Sequence, residues 1–364
     1  MTTRVIQLAD YGGPYPGSFV PMLRAVCRVV RSRGWEAQLA FAEDARGRAW
    51  AAGLEAEGIP VQFLPRTGIR ESAACVAALG RDADRVLFHT HFTTFDIPAA
   101  IAARRLDQAH VVWHLHSHVR TETSVRLRNT VKYLALRRHV DLVLGVATDV
   151  AETARRRGAP NVRVFPNAVD TDSMPPVGPD EHAAARERLR LGDGIVLLHY
   201  GWDWHRKGGD LFAGAVELLR DRGREVVGIS VGAPEEAGGD RVRVLPPTGE
   251  LRGVLAAADV FVSCSRAEGM PYSVAEALAA EVPVVATAIP GQVALGAGLG
   301  GCRLAGLDPE AIADAVEQLL DRDEAAVRAD ATAARRRMVK RHDLGPWSHE
   351  LVELYEGLLL GSRS

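Results

Sequence analysis

The chain has 364 residues, enough for two domains, and 47% of it is apolar, enough for a sizeable core in each. A net charge of −2 argues against nucleic acid or any other partner held by the whole protein's field. Cys27, Cys75, Cys264 and Cys302 are scattered with no C-x-x-C spacing, which argues against a disulfide framework or zinc cluster and fits a reducing compartment.

The opening "MTTRVIQLADYGG" reads as a strand entering a glycine turn rather than as a signal peptide. No apolar run reaches the ~18 residues that span a bilayer, so the expectation is a soluble cytoplasmic protein. Short apolar strands then alternate with helical patterns: Val5–Leu8, Ala37–Phe41, Val86–Phe88, Val111–Leu115, Leu142–Gly145 and Val162–Phe165. "DTDSMPPVGPDE", Asp170–Glu181, holds three prolines and a glycine and reads as a linker. The pattern restarts with Val196–Tyr200, Val226–Val231, Val242–Leu245, Val260–Val262 and Val282–Ala286. Such alternation predicts an α/β architecture of parallel sheets.

Both halves open alike, as strand, glycine-containing loop and amphipathic helix. In the first, Phe19, Met22, Leu23, Val26 and Val30 keep helical spacing, with Ser18 as the expected N-cap and Pro21 tolerated in the first turn. Two such units are expected to face across a cleft with helix N-termini at the strand ends. The final "WSHELVELYEGLLL" is a separate amphipathic helix whose apolar face needs a surface, expected on the first domain.

Four groups of residues carry chemistry. The loop "YGGPYPGS" has Gly12, Gly13 and Gly17, which let the backbone approach a ligand; a plain strand-to-helix turn is the alternative. "GWDWHRKGGD" sets Arg206 and Lys207 at a helix start, a pair suited to a diphosphate, or else a solvated basic turn. His89 and His91, with His114, His116 and His118, alternate along two strands. Metal ligation is one reading, but no completing carboxylate or cysteine is evident, Asp96 being the one acid close by. A catalytic or sugar-contacting histidine at a strand end is the preferred reading. Finally, "EGMPYSVAE" sets Glu268 and Glu276 eight residues apart, about 12 Å along a helix. That is too far for a glycosidase pair acting on one bond, yet suitable for holding a nucleotide sugar at two points. The plainer alternative is a turn acid and a solvated helix residue.

"EGMPYSVAE" resembles the E-x7-E signature of GT-B glycosyltransferases, in particular the retaining family four enzymes (glycosyl transferases group 1). The resemblance runs through most of the chain in order. "DYGGPYPGS" is similar to the family's N-terminal glycine loop, "VLFHTHF" to its His-x-His strand end, and "VVWHLH" to its V-V-x-T-x-H strand. "VFPNAVDTD" resembles the P-N-G-V-D segment, and "RKGGD" the K-G-x-D of the diphosphate loop. The sequence departs from the pattern at Gly201-Trp202 in place of Gly-Arg, Ala168 in place of glycine, Gly269-Met270-Pro271 in place of Gly-Phe-Gly, and Pro290-Gly291-Gln292 in place of Gly-Gly-x-x-Glu.

The resemblance implies a GT-B fold of two Rossmann-like parallel-sheet domains facing across a cleft. The acceptor domain would be 1–174 with a C-terminal helix, 345–364, crossing back to it; the nucleotide-sugar domain would be 175–344. His116 would contact the donor sugar near the anomeric centre, Arg206 and Lys207 the diphosphate, Glu268 the sugar hydroxyls and Glu276 the ribose. Gly12, Gly13, Gly17, Gly201, Gly269, Met270, Pro271 and Tyr272 would line the donor, with the base near Leu245–Thr248. The implied reaction moves a hexosyl-type sugar from a nucleoside diphosphate to a hydroxyl with retention, without metal or cofactor. A nucleotide-sugar epimerase, a phosphorolytic enzyme, a metal hydrolase built on the histidines and a silent nucleotide-sugar binder are the rivals. The acceptor is open among a small natural product, a cyclitol, and a lipid or glycan. Arg120–His139, with six Lys/Arg among apolar residues, reads either as a peripheral membrane contact or as a solvated basic face.

Overall fold

The structure, a computed structural model, describes residues 1–117, 123–237 and 242–361. The chain divides into two compact units, 1–167 with 344–364, and 168–343.

The first unit is built on a seven-stranded parallel sheet: β1 (Thr3–Ala9), β2 (Glu36–Ala42), β3 (Val61–Leu64), β4 (Arg85–His91), β5 (Ala109–Leu115), β6 (Leu142–Gly145) and β7 (Val162–Val164). Their order is β3-β2-β1-β4-β5-β6-β7. The second unit has six parallel strands: β8 (Ile195–Tyr200), β9 (Val226–Val231), β10 (Val242–Leu245), β11 (Val260–Ser263), β12 (Val284–Thr287) and β13 (Cys302–Ala305), ordered β10-β9-β8-β11-β12-β13. The two sheets share a topology: the winding direction reverses between β1 and β4 in the first and between β8 and β11 in the second. Ligands of open α/β sheets bind beyond the strand C-termini at such reversals.

The sequence pattern missed β3 and β13. Both are short strands at a sheet edge, where alternate residues such as Gln62 and Arg303 reach solvent, so neither shows a continuous apolar run. Helix Phe19–Ser32 buries the expected face, Phe19, Met22, Leu23, Val26 and Val30. Ser18 occupies its N-cap position, but in a helical conformation and with no capping bond from its side chain, contrary to expectation. The linker is shorter than its composition suggested. Pro179 is already the first residue of helix Pro179–Arg188, a position that a residue lacking N–H fills at no cost.

Helix Leu344–Leu360 returns to the first unit. Leu351, Val352, Tyr355 and Leu359 are buried, the Tyr355 hydroxyl accepts from Gln7 Nε2 at 3.1 Å, and Trp347 Nε1 donates to the Pro166 carbonyl at 2.6 Å. In the second unit, helices Gly209–Asp221 and Pro309–Leu320 pack Phe212, Val216 and Leu219 with Ile312, Val316 and Leu319. Burying one such side chain is worth about 1.5–3 kcal/mol. Among the described residues no helix is long and apolar enough to cross a membrane.

Candidate functional site

Each topological reversal carries a group of the residues singled out from the sequence. In the second unit the loop after β8 holds Gly201, Arg206 and Lys207, and the loop after β11 holds Glu268, Gly269, Met270 and Pro271. The two loops meet on one carboxylate. Lys207 Nζ lies 2.6 Å from Glu268 Oε1, Ser265 Oγ donates to the same oxygen at 2.9 Å, and the Arg206 guanidinium stands 3.5 Å from it. Arg206 Nε also donates to Asp203 at 2.8 Å, and that bond holds the Asp203 carboxyl below its usual range.

Several residues that the sequence reading passed over hold this loop in place. His199 Nε2 donates to the Lys207 carbonyl at 3.1 Å, and its Nδ1 then accepts from Ser230 Oγ at 3.0 Å; burial pushes its pKa down to about 4, so the ring is neutral. Arg266 receives the chain on its other side. Its N–H donates to the Arg206 carbonyl, and its guanidinium to the His205 carbonyl and to both oxygens of Asp210. Gly208 has φ of +70°, and a Cβ there would stand 1.9 Å from the Cys264 carbonyl, so no other residue lets the two loops approach this closely.

Helix Tyr272–Ala279 follows the second loop, with Tyr272 first in the helix and Pro271 at its N-cap, contributing no N–H. Glu276 sits in this helix at 7% exposure, and Glu268 has 12% of its side chain exposed. Neither carboxylate is a solvated surface group. Burial, with the charge of Glu276 as a second cause, raises the Tyr200 phenol well above its ordinary value. Pro290-Gly291-Gln292, a departure from the resembled pattern, opens helix Pro290–Gly296, and a Cβ on Gly291 would lie 2.1 Å from the Gly269 carbonyl. That helix supports the Glu268–Gly269 turn from beneath.

In the first unit the loop after β1 carries Gly12, Gly13 and Gly17. Arg48 Nε donates to the Gly12 carbonyl at 3.1 Å and Trp50 Nε1 to that of Gly13 at 3.0 Å. The loop after β4 holds Phe92 and Thr93 at φ of 61° and 65°. For a β-branched residue this is a strained conformation, of a kind that clusters at functional sites. Phe19 and Phe92 pack against His116, with ring centroids 5.6 and 5.0 Å away, so the glycine loop, the strained loop and the histidine share one aromatic cluster.

Sheet register gathers the histidines. Gln7 is level with His89, and His91 with His114, all on one face. His91 Nδ1 is 2.8 Å from His116 Nε2, His91 Nε2 is 2.9 Å from Gln7 Oε1, and His116 Nδ1 is 3.2 Å from Asn167 Oδ1. Both ring nitrogens of His116 are therefore engaged by protein. Burial pushes its pKa down to about 4 and holds those of His89, His91 and His114 well below the ordinary histidine value, so the cluster is neutral near pH 7. His89, His91 and His114 place ligand atoms within 4.8 Å of one another, but the three are at most 1% exposed. A catalytic metal keeps an open position for water or substrate, and among the described residues the burial of these three side chains leaves none. Asp96, the acid expected nearby, is committed to Thr90 and Lys132. His118 lies outside the described residues.

The sequence matches two family models, Glycosyltransferase Family 4 over residues 22–173 and Glycosyl transferases group 1 over residues 194–322. The chain belongs to the family four, or group 1, glycosyltransferases of GT-B fold. It is 35% identical over 197 residues to a D-inositol 3-phosphate glycosyltransferase of Streptomyces griseus, covering 47% of this chain and 41% of that protein. The corresponding figures for the enzyme of the same name from Xylanimonas cellulosilytica are 34% over 219 residues, 54% and 52%. The chain thus spans about half the length of the curated relatives it matches. Among solved structures, Anabaena HepE in complex with UDP and glucose aligns at a TM-score of 0.83 and 20% identity, over 97% of this chain and 99% of that one. Sucrose-phosphate synthase of Thermosynechococcus elongatus aligns at 0.78 and 19%, over 99% and 100%. At these identities the structural likeness establishes the fold.

Proposed function

We propose that this protein transfers a sugar from a nucleoside diphosphate to an acceptor hydroxyl, with retention at the anomeric carbon and with no metal at the diphosphate. The observation that carries the reading is the meeting of Lys207, Arg206 and Ser265 on Glu268 at the reversal between β8 and β11. As the glycosidic bond breaks, negative charge grows on the departing diphosphate. Arg206 and Lys207 are preorganised cations for it, fixed by Asp203, His199 and Arg266 before any ligand arrives. Glu268 would exchange its cations for sugar hydroxyls, and Glu276 would accept from the ribose. The departing phosphate oxygen, on the same face of the ring as the acceptor, would take the acceptor's proton, so no protein carboxylate is required as base. His116 would contact the donor sugar, exchanging one of its two present hydrogen bonds to do so.

Relatives named as D-inositol 3-phosphate glycosyltransferases support a cyclitol-type acceptor, and the UDP, glucose and UDP-glucose in the Anabaena structures support a uridine donor. Helix Thr123–Leu136 has no acidic residue and exposes Leu127, Val131 and Leu134 beside Arg128, which supports contact with an anionic membrane surface. Lys132 takes no part in that face; it is turned inward to Asp96 and lies over the Trp113 ring.

A thermal-shift screen against UDP, GDP, ADP, TDP and their sugars tests the reading. A rise in melting temperature with one base is expected, followed by acceptor-dependent release of that diphosphate and an axial product linkage by NMR when the donor linkage is axial. Conversion of the donor without any acceptor would favour the epimerase, and absence of any nucleotide response would overturn the proposal.

A further inference from the structure

Trp202 is the most exposed tryptophan-sized surface on the donor loop, at 64%, yet it is not idle. The Arg206 guanidinium lies 4.6 Å from its ring centroid and Lys207 Nζ 5.2 Å. Its backbone and Cβ pack at the other side on Gly232, the residue after β9, where a Cβ would meet Trp202 Cβ at 3.4 Å and Pro247 at 3.7 Å. Trp202 thus has the two cations at its ring and the loop after β9 at its backbone and Cβ. Glu268 lies on the far side of the cations in the chain of contacts. An exposed indole beside charged groups offers an aromatic face on which a planar ring can stack.

A nucleoside diphosphate has that shape: a diphosphate for the cations, and one ribose away a planar heteroaromatic ring. We propose that Trp202 is the stacking platform for the nucleobase of the donor, the base lying against the indole on the Gly232–Pro247 side while the diphosphate rests on Arg206 and Lys207. This rests on the reading of the site as a nucleotide-sugar site and adds to it the residue that grips the nucleoside end. The resembled pattern has an arginine here, which would hold phosphate; an indole moves binding energy from phosphate charge to base stacking.

The test uses the full chain and its Trp202→Ala and Trp202→Phe variants, titrated calorimetrically with two probes. One is the nucleoside diphosphate that raises the melting temperature most, and the other is inorganic pyrophosphate, which has no base. Loss of stacking in Trp202→Ala should weaken the nucleotide roughly ten- to a hundredfold, with pyrophosphate changed by less than about threefold. Trp202→Phe should recover most of the nucleotide affinity, and the share of the nucleotide-induced quench that comes from Trp202, one of six tryptophans, should be lost in it. Equal weakening of both probes in Trp202→Ala would mean that the indole acts only by steadying the cations, and no weakening of either would mean that it touches no ligand; each overturns the inference alone. A wild-type chain that binds no nucleoside diphosphate overturns the functional reading as well. The side chain is exposed, so unchanged melting temperatures of the ligand-free variants verify that the fold is intact.

Discussion

Lys207 Nζ and Glu268 Oε1 lie 2.6 Å apart across 61 positions of sequence, each on the loop that follows one of the two strands flanking the reversal of the second sheet. The carboxylate receives Lys207, Arg206 and Ser265 on one oxygen. On the proposed reading a bound donor would compete for these cations with its diphosphate and for the carboxylate with its sugar. The pair would then mark the boundary between the leaving group and the group transferred.

Lys207→Ala should lower kcat more than it raises KM. Diphosphate charge is greater in the transition state than in the ground state, so a cation placed for it acts mainly on turnover. Removing one such donor costs about 3 kcal/mol, roughly a hundredfold in kcat. Steady-state kinetics with an unchanged kcat and a raised KM would contradict the leaving-group role.

The two glutamates should separate under calorimetry. Glu276→Ala is expected to weaken the free nucleoside diphosphate and the complete donor alike, each by roughly ten- to a hundredfold, since a hydrogen bond to a charged group is worth about 1.5–3 kcal/mol. Glu268→Ala is expected to spare the free nucleotide and impair the sugar-bearing donor. Equal effects of both substitutions on the bare nucleotide would show that the residues do not hold different ends of one ligand.

Turnover should persist in EDTA if, as proposed, Arg206 and Lys207 balance the diphosphate in place of a divalent ion. Complete loss in chelator, restored by Mg²⁺ or Zn²⁺, would contradict this.

Stability should fall with acid before the carboxylates titrate. His116 and His199 have folded pKa values pushed down to about 4 by burial, below the unfolded value of about 6.5. Between those limits the unfolded chain binds more protons, so stability falls as pH drops from 6.5 toward 4 and is unaffected by these groups above 7. Each contributes a loss of roughly 3 kcal/mol over that window. Denaturant unfolding that gives the same free energy at pH 7 and pH 5 would refute the neutral burial of these rings.

Much of the site was legible because its residues sit at punctuation points that sequence displays. Glycines, an Arg-Lys pair and Glu268 fall where an apolar strand gives way to a helix, with Glu276 in the helix that follows, and the ends of strands are where open α/β sheets bind ligands. Their supports were not legible. His199, Arg266 and Ser230 look like ordinary strand and loop residues, and nothing local shows that they brace Lys207 and Arg206.

The sequence by itself determined the two parallel α/β halves, most of their strands, the buried face of helix Phe19–Ser32 and the loops on which the chemistry would lie. Periodicity reports which side of an element turns away from water, and that suffices for these. Only the tertiary structure decided which partner each polar group takes. Sheet register set His91 level with His114, which brings His116, 25 positions from His91, onto its Nδ1, and Asn167 closes the other nitrogen of the His116 ring. The fold turned Lys132 inward to Asp96, 36 positions away, though its neighbours suggested a solvated basic face. It also left β3 and β13 at sheet edges, where half of each strand meets water and the apolar signal fades. Burial is an average property that a local pattern can encode; a specific hydrogen bond across dozens of residues depends on how strands are ordered and aligned, which no local pattern states.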